Sequence, residues 1–118
     1  MKVDQDMTEK AWLMVRAEIA DPTDRPAFDR WYETEHLPDA QRIFQAELAW
    51  RCWSDIDPSI HYAFYQFASL EAARAVPQSA GIRSLIAEFD RVWGSRVTRT
   101  RDILGAIQVL PARTPNLT

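Results

Sequence analysis

His36 is the side chain best suited to chemistry in this sequence, because an imidazole exchanges protons near neutral pH without any cofactor. Tyr32 precedes it by one helical turn, and Glu33 and Glu35 lie close enough to stabilise an imidazolium or to orient a ring nitrogen. Glu35, if buried, would serve as a general acid or base, and Tyr32 or Glu35 would position or assist the transferred proton. The alternative role for His36 is structural, a cation closing the end of its helix beside Pro38. Trp31 and Tyr32 offer stacking surface and a phenolic hydrogen bond to an aromatic ligand, and Tyr65 is assigned to the same substrate-binding set. The same rings would equally serve as core. Arg51, Arg96, Arg99 and Arg101 are candidates to hold a carboxylate or an enolate through paired hydrogen bonds, with Arg51 and Arg99 assigned to substrate binding. Their other use is in ion pairs at a dimer seam or as guards of an edge strand. Strand residues alternate faces, so Arg99 and Arg101 project together while Arg96 points the other way.

Other chemistries find less support. His61 can face either a pocket or a dimer seam, and the sequence does not choose. His36, His61 and Cys52 lack the spacing of a zinc site, so no metal is expected. Three scattered glycines, Gly81, Gly94 and Gly105, cannot build a phosphate loop. No G-x-S-x-G elbow marks a serine nucleophile.

The elements that must position these groups follow from periodicity. Residues 1–10 are polar and aperiodic, and are expected to form a flexible leader. Ala11 to Ile19 is dense in β-prone residues and reads as a first strand. Asp21-Pro22 turns the chain, and Thr23 or Asp24 is expected to cap a helix. Phe28, Trp31, Tyr32 and Glu35 follow at i, i+3, i+4 and i+7, one stripe of that helix. Pro38 predicts an end or a kink near Leu37, with a further turn through Ile43 and Phe44. Residues 46–54 read as a second strand, with Leu48, Trp50 and Cys52 on one face and Ala49, Arg51 and Trp53 on the other. His61 to Ala68 is a third strand, hairpinned to the second through Asp57-Pro58. Ser69 caps a short helical segment, and Ile82, Leu85, Ile86, Phe89 and Trp93 recur at helical spacing. A last strand runs from about Arg96 to Leu110, and 111–118 is expected to be a loose tail.

The order βαββαβ predicts an α+β domain over residues 11–110, with two helices on one face of a four-stranded antiparallel sheet. The 118 residues suit one domain, 47% hydrophobic and 26% charged. Strands two and three carry apolar or aromatic groups on both faces, and no element is left to cover the second. A homodimer packed sheet to sheet is therefore expected. A net charge of −3 argues against nucleic acid as a partner. No run approaches the roughly 20 apolar residues needed to cross a bilayer. One cysteine and no signal-like start predict a cytoplasmic location.

The segment Phe28-Asp29-Arg30-Trp31-Tyr32-Glu33-Thr34-Glu35-His36-Leu37-Pro38 resembles the first-helix pattern of bacterial dimeric α/β-barrel proteins, including EthD-like ones. There a Trp-Tyr pair precedes an acidic residue, His, an aliphatic residue and Pro. His61 to Phe67 and Arg96 to Arg101 extend the similarity over roughly residues 11 to 109. The resemblance implies a ferredoxin-like protomer, a dimer whose two sheets form a shared barrel, and a ligand cavity between helices and sheet. It implies no single reaction, since cofactor-free monooxygenases, cyclases, isomerases and haem enzymes share the architecture. The expectation is cofactor-independent acid/base chemistry (isomerisation, cyclisation or oxidation) on a small, partly apolar carbonyl or phenolic compound. Haem held by either histidine is the cofactor alternative. The competing expectation is a non-catalytic small-ligand binding protein or dimeric scaffold.

Overall fold

The computed structural model describes residues 7–114, so residues 1–6 of the expected leader and residues 115–118 of the tail lie outside the described residues. The chain runs β1 (Ala11–Ile19), a 3-10 turn (Pro22–Asp24), α1 (Arg25–Trp31), a π turn (Tyr32–His36) and α2 (Leu37–Phe44). It continues through β2 (Leu48–Trp53), β3 (Ile60–Phe67), α3 (Leu70–Ala75), α4 (Ala80–Trp93) and β4 (Val97–Gly105). The strands form one antiparallel sheet in the order β2-β3-β1-β4, the ferredoxin-like α+β arrangement that the sequence predicts.

Element ends are set by where hydrogen-bond partners run out. Asp21 caps the 3-10 turn, accepting from Thr23 N at 3.0 Å, and Asp24 holds the N-cap position of α1, as expected, without a side-chain cap bond. Ser69 caps α3 as expected, accepting from Ala72 N at 3.1 Å. Gln45 closes α2 in the left-handed region (φ 57°), and Ala46 N returns to Gln41 O at 3.1 Å. That bond commits Ala46 to the helix end, so β2 begins at Leu48 rather than at Ala46. β4 ends at Gly105, short of the expected Leu110, because its partner β1 begins opposite it at Ala11. At the other end of the first segment, Lys10 Nζ reaches Glu47 at 2.8 Å.

Pro38 neither ends nor breaks the first helical run. A proline ring has no N–H and crowds the carbonyl four residues back, and a widened turn relieves both. Leu37 N–H reaches Tyr32 O, five residues earlier, and the chain then continues as α2. The π turn inserts one residue into the helical count. The expected stripe therefore holds only as far as Tyr32. Phe28, Trp31 and Tyr32 are buried, whereas Glu35 has rotated to the exposed side and His36 takes its place on the inner face.

The register sorts the sheet residues. Leu13, Val15 and Ala17 of β1, His61, Ala63 and Tyr65 of β3, Arg51 and Trp53 of β2, and Arg99 and Arg101 of β4 share the helix-covered face. The face without helices carries Trp12, Met14, Trp50, Tyr62, Phe64 and Leu104, and is the more apolar side of β2. Trp50 stacks on Phe64 at 4.5 Å yet stays 47% exposed. On the covered face Phe28 is an aromatic hub, with its ring 5.2 Å from those of His61 and Trp93 and 5.3 Å from that of Tyr32.

Candidate functional site

The π turn delivers His36 to the wall of a cavity between α4 and the sheet, shared with Tyr65, Phe89, Arg99, Arg101 and aliphatic side chains of β1 and α4. Its imidazole stacks on Trp31 at 4.6 Å and meets the rings of Tyr32 at 4.8 Å and Phe89 at 5.6 Å edge-on. Neither ring nitrogen has a hydrogen-bond partner among the described residues. Burial and then the Arg99 charge pull its pKa down from 6.5 to about 4, outweighing Asp39 and Glu88. His36 is therefore neutral at pH 7, and the expected imidazolium supported by Glu33 or Glu35 does not form. Nor does His36 cap the helix, which runs on through α2.

Two donors in this wall are unusual. Arg99 lays its guanidinium over the Phe89 ring at 3.7 Å, and its Nη1 is buried without a hydrogen-bond partner among the described residues. Among the described residues its Nη2 has only the exposed Asp90 carboxylate, at 3.7 Å. Tyr65 Oη is also buried and unpartnered among the described residues: the Tyr32 phenol lies near enough to perturb it but falls short of hydrogen-bond geometry. Burial holds both phenols protonated, Tyr32 pushed up to about 12 and Tyr65 well above its ordinary value. The free space is small, about 30 Å³, enough for one or two water-sized groups. In this arrangement the cavity has no room for a haem macrocycle.

A second polar cluster lies beside the aromatic hub. Arg51 Nη1 and Trp53 Nε1 both donate to Asp29 Oδ1, at 2.9 and 2.8 Å, and hold that carboxyl below its usual range. Arg51 Nη1 also lies 3.3 Å from His61 Nε2. A guanidinium only donates, so Nε2 must accept and the proton sits on Nδ1, which is buried and unpartnered among the described residues. Burial, then the Arg51 charge, lower His61 to about 4. Its 4.5 Å contact with the Tyr32 ring places it on the covered side, away from the helix-free face.

Of the sequence-derived site residues, His36, Tyr65 and Arg99 line one cavity, with Trp31 and Tyr32 packed behind the imidazole. Glu35 is exposed and does not line that cavity. Arg51 is committed to Asp29 and His61 instead of the cavity. Arg96 binds Asp24 and Val92 O at the surface, outside β4. Cys52 and His61 occupy opposite sheet faces, which parts the conceivable metal trio, and no group of three or more potential metal ligands occurs among the described residues. Asp29 carries no local signal in the sequence, because its partners are 22 and 24 residues away on β2. Arg101 shares Arg99's face, as strand alternation predicts, and is exposed at the cavity mouth.

No family model matches this chain, and no curated protein matches it. Solved structures do. An EthD family protein from Bacillus halodurans superposes with a TM-score of 0.60 at 15% identity, over 79% of this chain and 96% of that one. SnoaB, a cofactor-independent oxygenase from Streptomyces nogalater, gives 0.63 at 12% identity, over 88% and 99%. A NIPSNAP family protein from Agrobacterium tumefaciens gives 0.55 at 13% identity, over 80% and 84%. No helix among the described residues is long and apolar enough to cross a membrane. At these identities the likeness is one of fold: the chain shares the ferredoxin-like α+β architecture of these structures.

Proposed function

We propose that the protein is a small-molecule enzyme that begins its reaction by moving a proton onto His36, without a cofactor. The observation that carries this reading is a neutral imidazole, its ring nitrogens bonded to no described residue, on the wall of a cavity and backed by Trp31 and Tyr32. An acidic C–H beside a carbonyl, or a phenolic O–H, would lose its proton to the imidazole, leaving an enolate or phenolate. In an isomerisation or cyclisation the imidazolium returns that proton to another atom. In an oxidation, dioxygen is the co-reactant that accepts the electrons of the enolate. SnoaB's being a cofactor-independent oxygenase of the same fold supports this class of reaction.

Tyr65 and Arg99 face the ligand in this reading, Trp31 fixes the plane of the imidazole, and Tyr32 buttresses its edge. A second copy covers the helix-free face, because Trp12, Trp50, Phe64 and Leu104 line an open apolar groove there that a lone protomer would leave in water. The test is NMR titration of the two histidines against a panel of small phenols and lactones, followed by turnover assays on compounds that shift His36. His36→Gln should abolish turnover with the fold intact. Unchanged turnover would remove His36 from the mechanism. The competing reading, non-catalytic binding or a dimeric scaffold, rests on the small free volume and on how fully Tyr65 and Phe89 are buried. It wins if no compound shifts His36.

A further inference from the structure

We propose that the ligand of this cavity is an anion, and that its carboxylate or enolate head enters the cavity to bind Arg99 Nη1 while the rest of the molecule lies at the mouth beside Arg101. This deepens the proposed function and rests on the same cavity. Three observations carry it.

The first is the state of Arg99. Its Nη1 is buried with no acceptor among the described residues, and the guanidinium is held over the Phe89 ring rather than by a strong ion pair, since Asp90 stands 3.7 Å away and is two-thirds exposed. A buried charged donor left without an acceptor is costly, so its retention at a cavity wall marks the place of a missing acceptor. The second is the charge balance of the lining. Two guanidiniums, Arg99 and Arg101, meet a neutral imidazole and a protonated phenol, and no carboxylate among the described residues lines the cavity. Tyr65 Oη adds a neutral donor that also lacks an acceptor. The third is size. About 30 Å³ of free space suits a small polar head rather than a bulky molecule seated whole.

The arrangement links binding to the proton step. His36 and Arg99 both rest against Phe89, and the Arg99 charge is one of the two causes that keep His36 neutral, with Asp39 and Glu88 opposing it. An anion seated on Arg99 offsets that charge and favours the imidazolium, so the site accepts a proton more readily once an oxyanion is bound or has begun to form.

The experiment compares isosteric pairs that differ in charge: benzoate against benzamide, and the enolate of a cyclic β-diketone against the corresponding 3-amino enone. Binding is followed by the His36 ring resonances and by tryptophan fluorescence. Benzoate and the enolate should each bind at least about tenfold tighter than their neutral partners, the scale of a charge-assisted hydrogen bond away from bulk water. The His36 midpoint should move upward only with the anions. Preference for benzoate alone would identify a carboxylate ligand, and preference for the enolate alone a deprotonated carbonyl compound. Arg99→Met, which keeps the stem on Phe89, should erase the preference, Arg99→Lys should keep part of it, and Tyr65→Phe should weaken the anions severalfold. Equal affinity for charged and neutral probes, with His36 still responding, would overturn the anion assignment and leave the acid/base reading standing. No response of His36 to any probe, or to the phenol and lactone panel, would overturn both.

Discussion

Acid should unfold this protein through its two histidines, His61 buried and His36 half-buried, before its carboxylates are titrated. His36 and His61 titrate near 6.5 in an unfolded chain but at about 4 in the fold, chiefly because burial penalises the imidazolium. The unfolded state therefore binds protons that the native state refuses, and stability falls as pH drops from about 6.5 toward 4. Each site loses about 2 kcal/mol between pH 7 and pH 5, so the pair loses about 4, a large share of a small domain's stability. Asp29 and Glu47 work in the opposite range: their lowered values add stability above the ordinary carboxylate pKa that is lost only at lower pH. Urea unfolding followed by tryptophan fluorescence at fixed protein concentration, at pH 7 and pH 5, measures the loss directly. His36→Gln and His61→Gln should each remove about half of the pH-dependent part, whatever they do to stability at pH 7. A wild type equally stable at both values, or an undiminished loss in the double variant, would refute the burial argument.

Three further outcomes follow from packing. Gly81 has no room for a side chain, because an added Cβ would collide with the Ile43 side chain of α2. Gly81→Ala should cost about 1–3 kcal/mol and lower the melting temperature, as overpacking does. Trp50→Glu places a charge in the middle of the helix-free apolar face. It should convert a dimer into monomers by light scattering, while far-ultraviolet circular dichroism stays unchanged. A wild type that is already monomeric at micromolar concentration would refute the sheet-to-sheet pairing. Asp29→Ala leaves Trp53 Nε1 and Arg51 without their shared acceptor and should cost about 1–2 kcal/mol in urea unfolding. It should also move the His61 titration, since Arg51 contacts that ring.

Much of the architecture is legible in the chain because it depends on local period. The alternation in 11–19 and 61–67, the Ser69 cap and the helical spacing from Ile82 to Trp93 each report their own element. The pairing of Arg99 with Arg101 on one face likewise needs nothing beyond strand geometry. Two decisions belong to the tertiary structure. A stripe drawn at 3.6 residues per turn puts Glu35 inside. The π turn ahead of Pro38 shifts the count by one and puts His36 there instead, because the chain accommodates the proline ring by widening rather than by stopping. The four candidate arginines are also alike in sequence. Only the packing of β2 against α1 ties Arg51 to Asp29, and only the Phe89 ring holds Arg99 with a free donor beside the imidazole. Period and capping act over one turn and are written in neighbouring residues. Burial, charge balance and unmet hydrogen bonds depend on residues tens of positions apart, so they exist only once the sheet has closed under its helices.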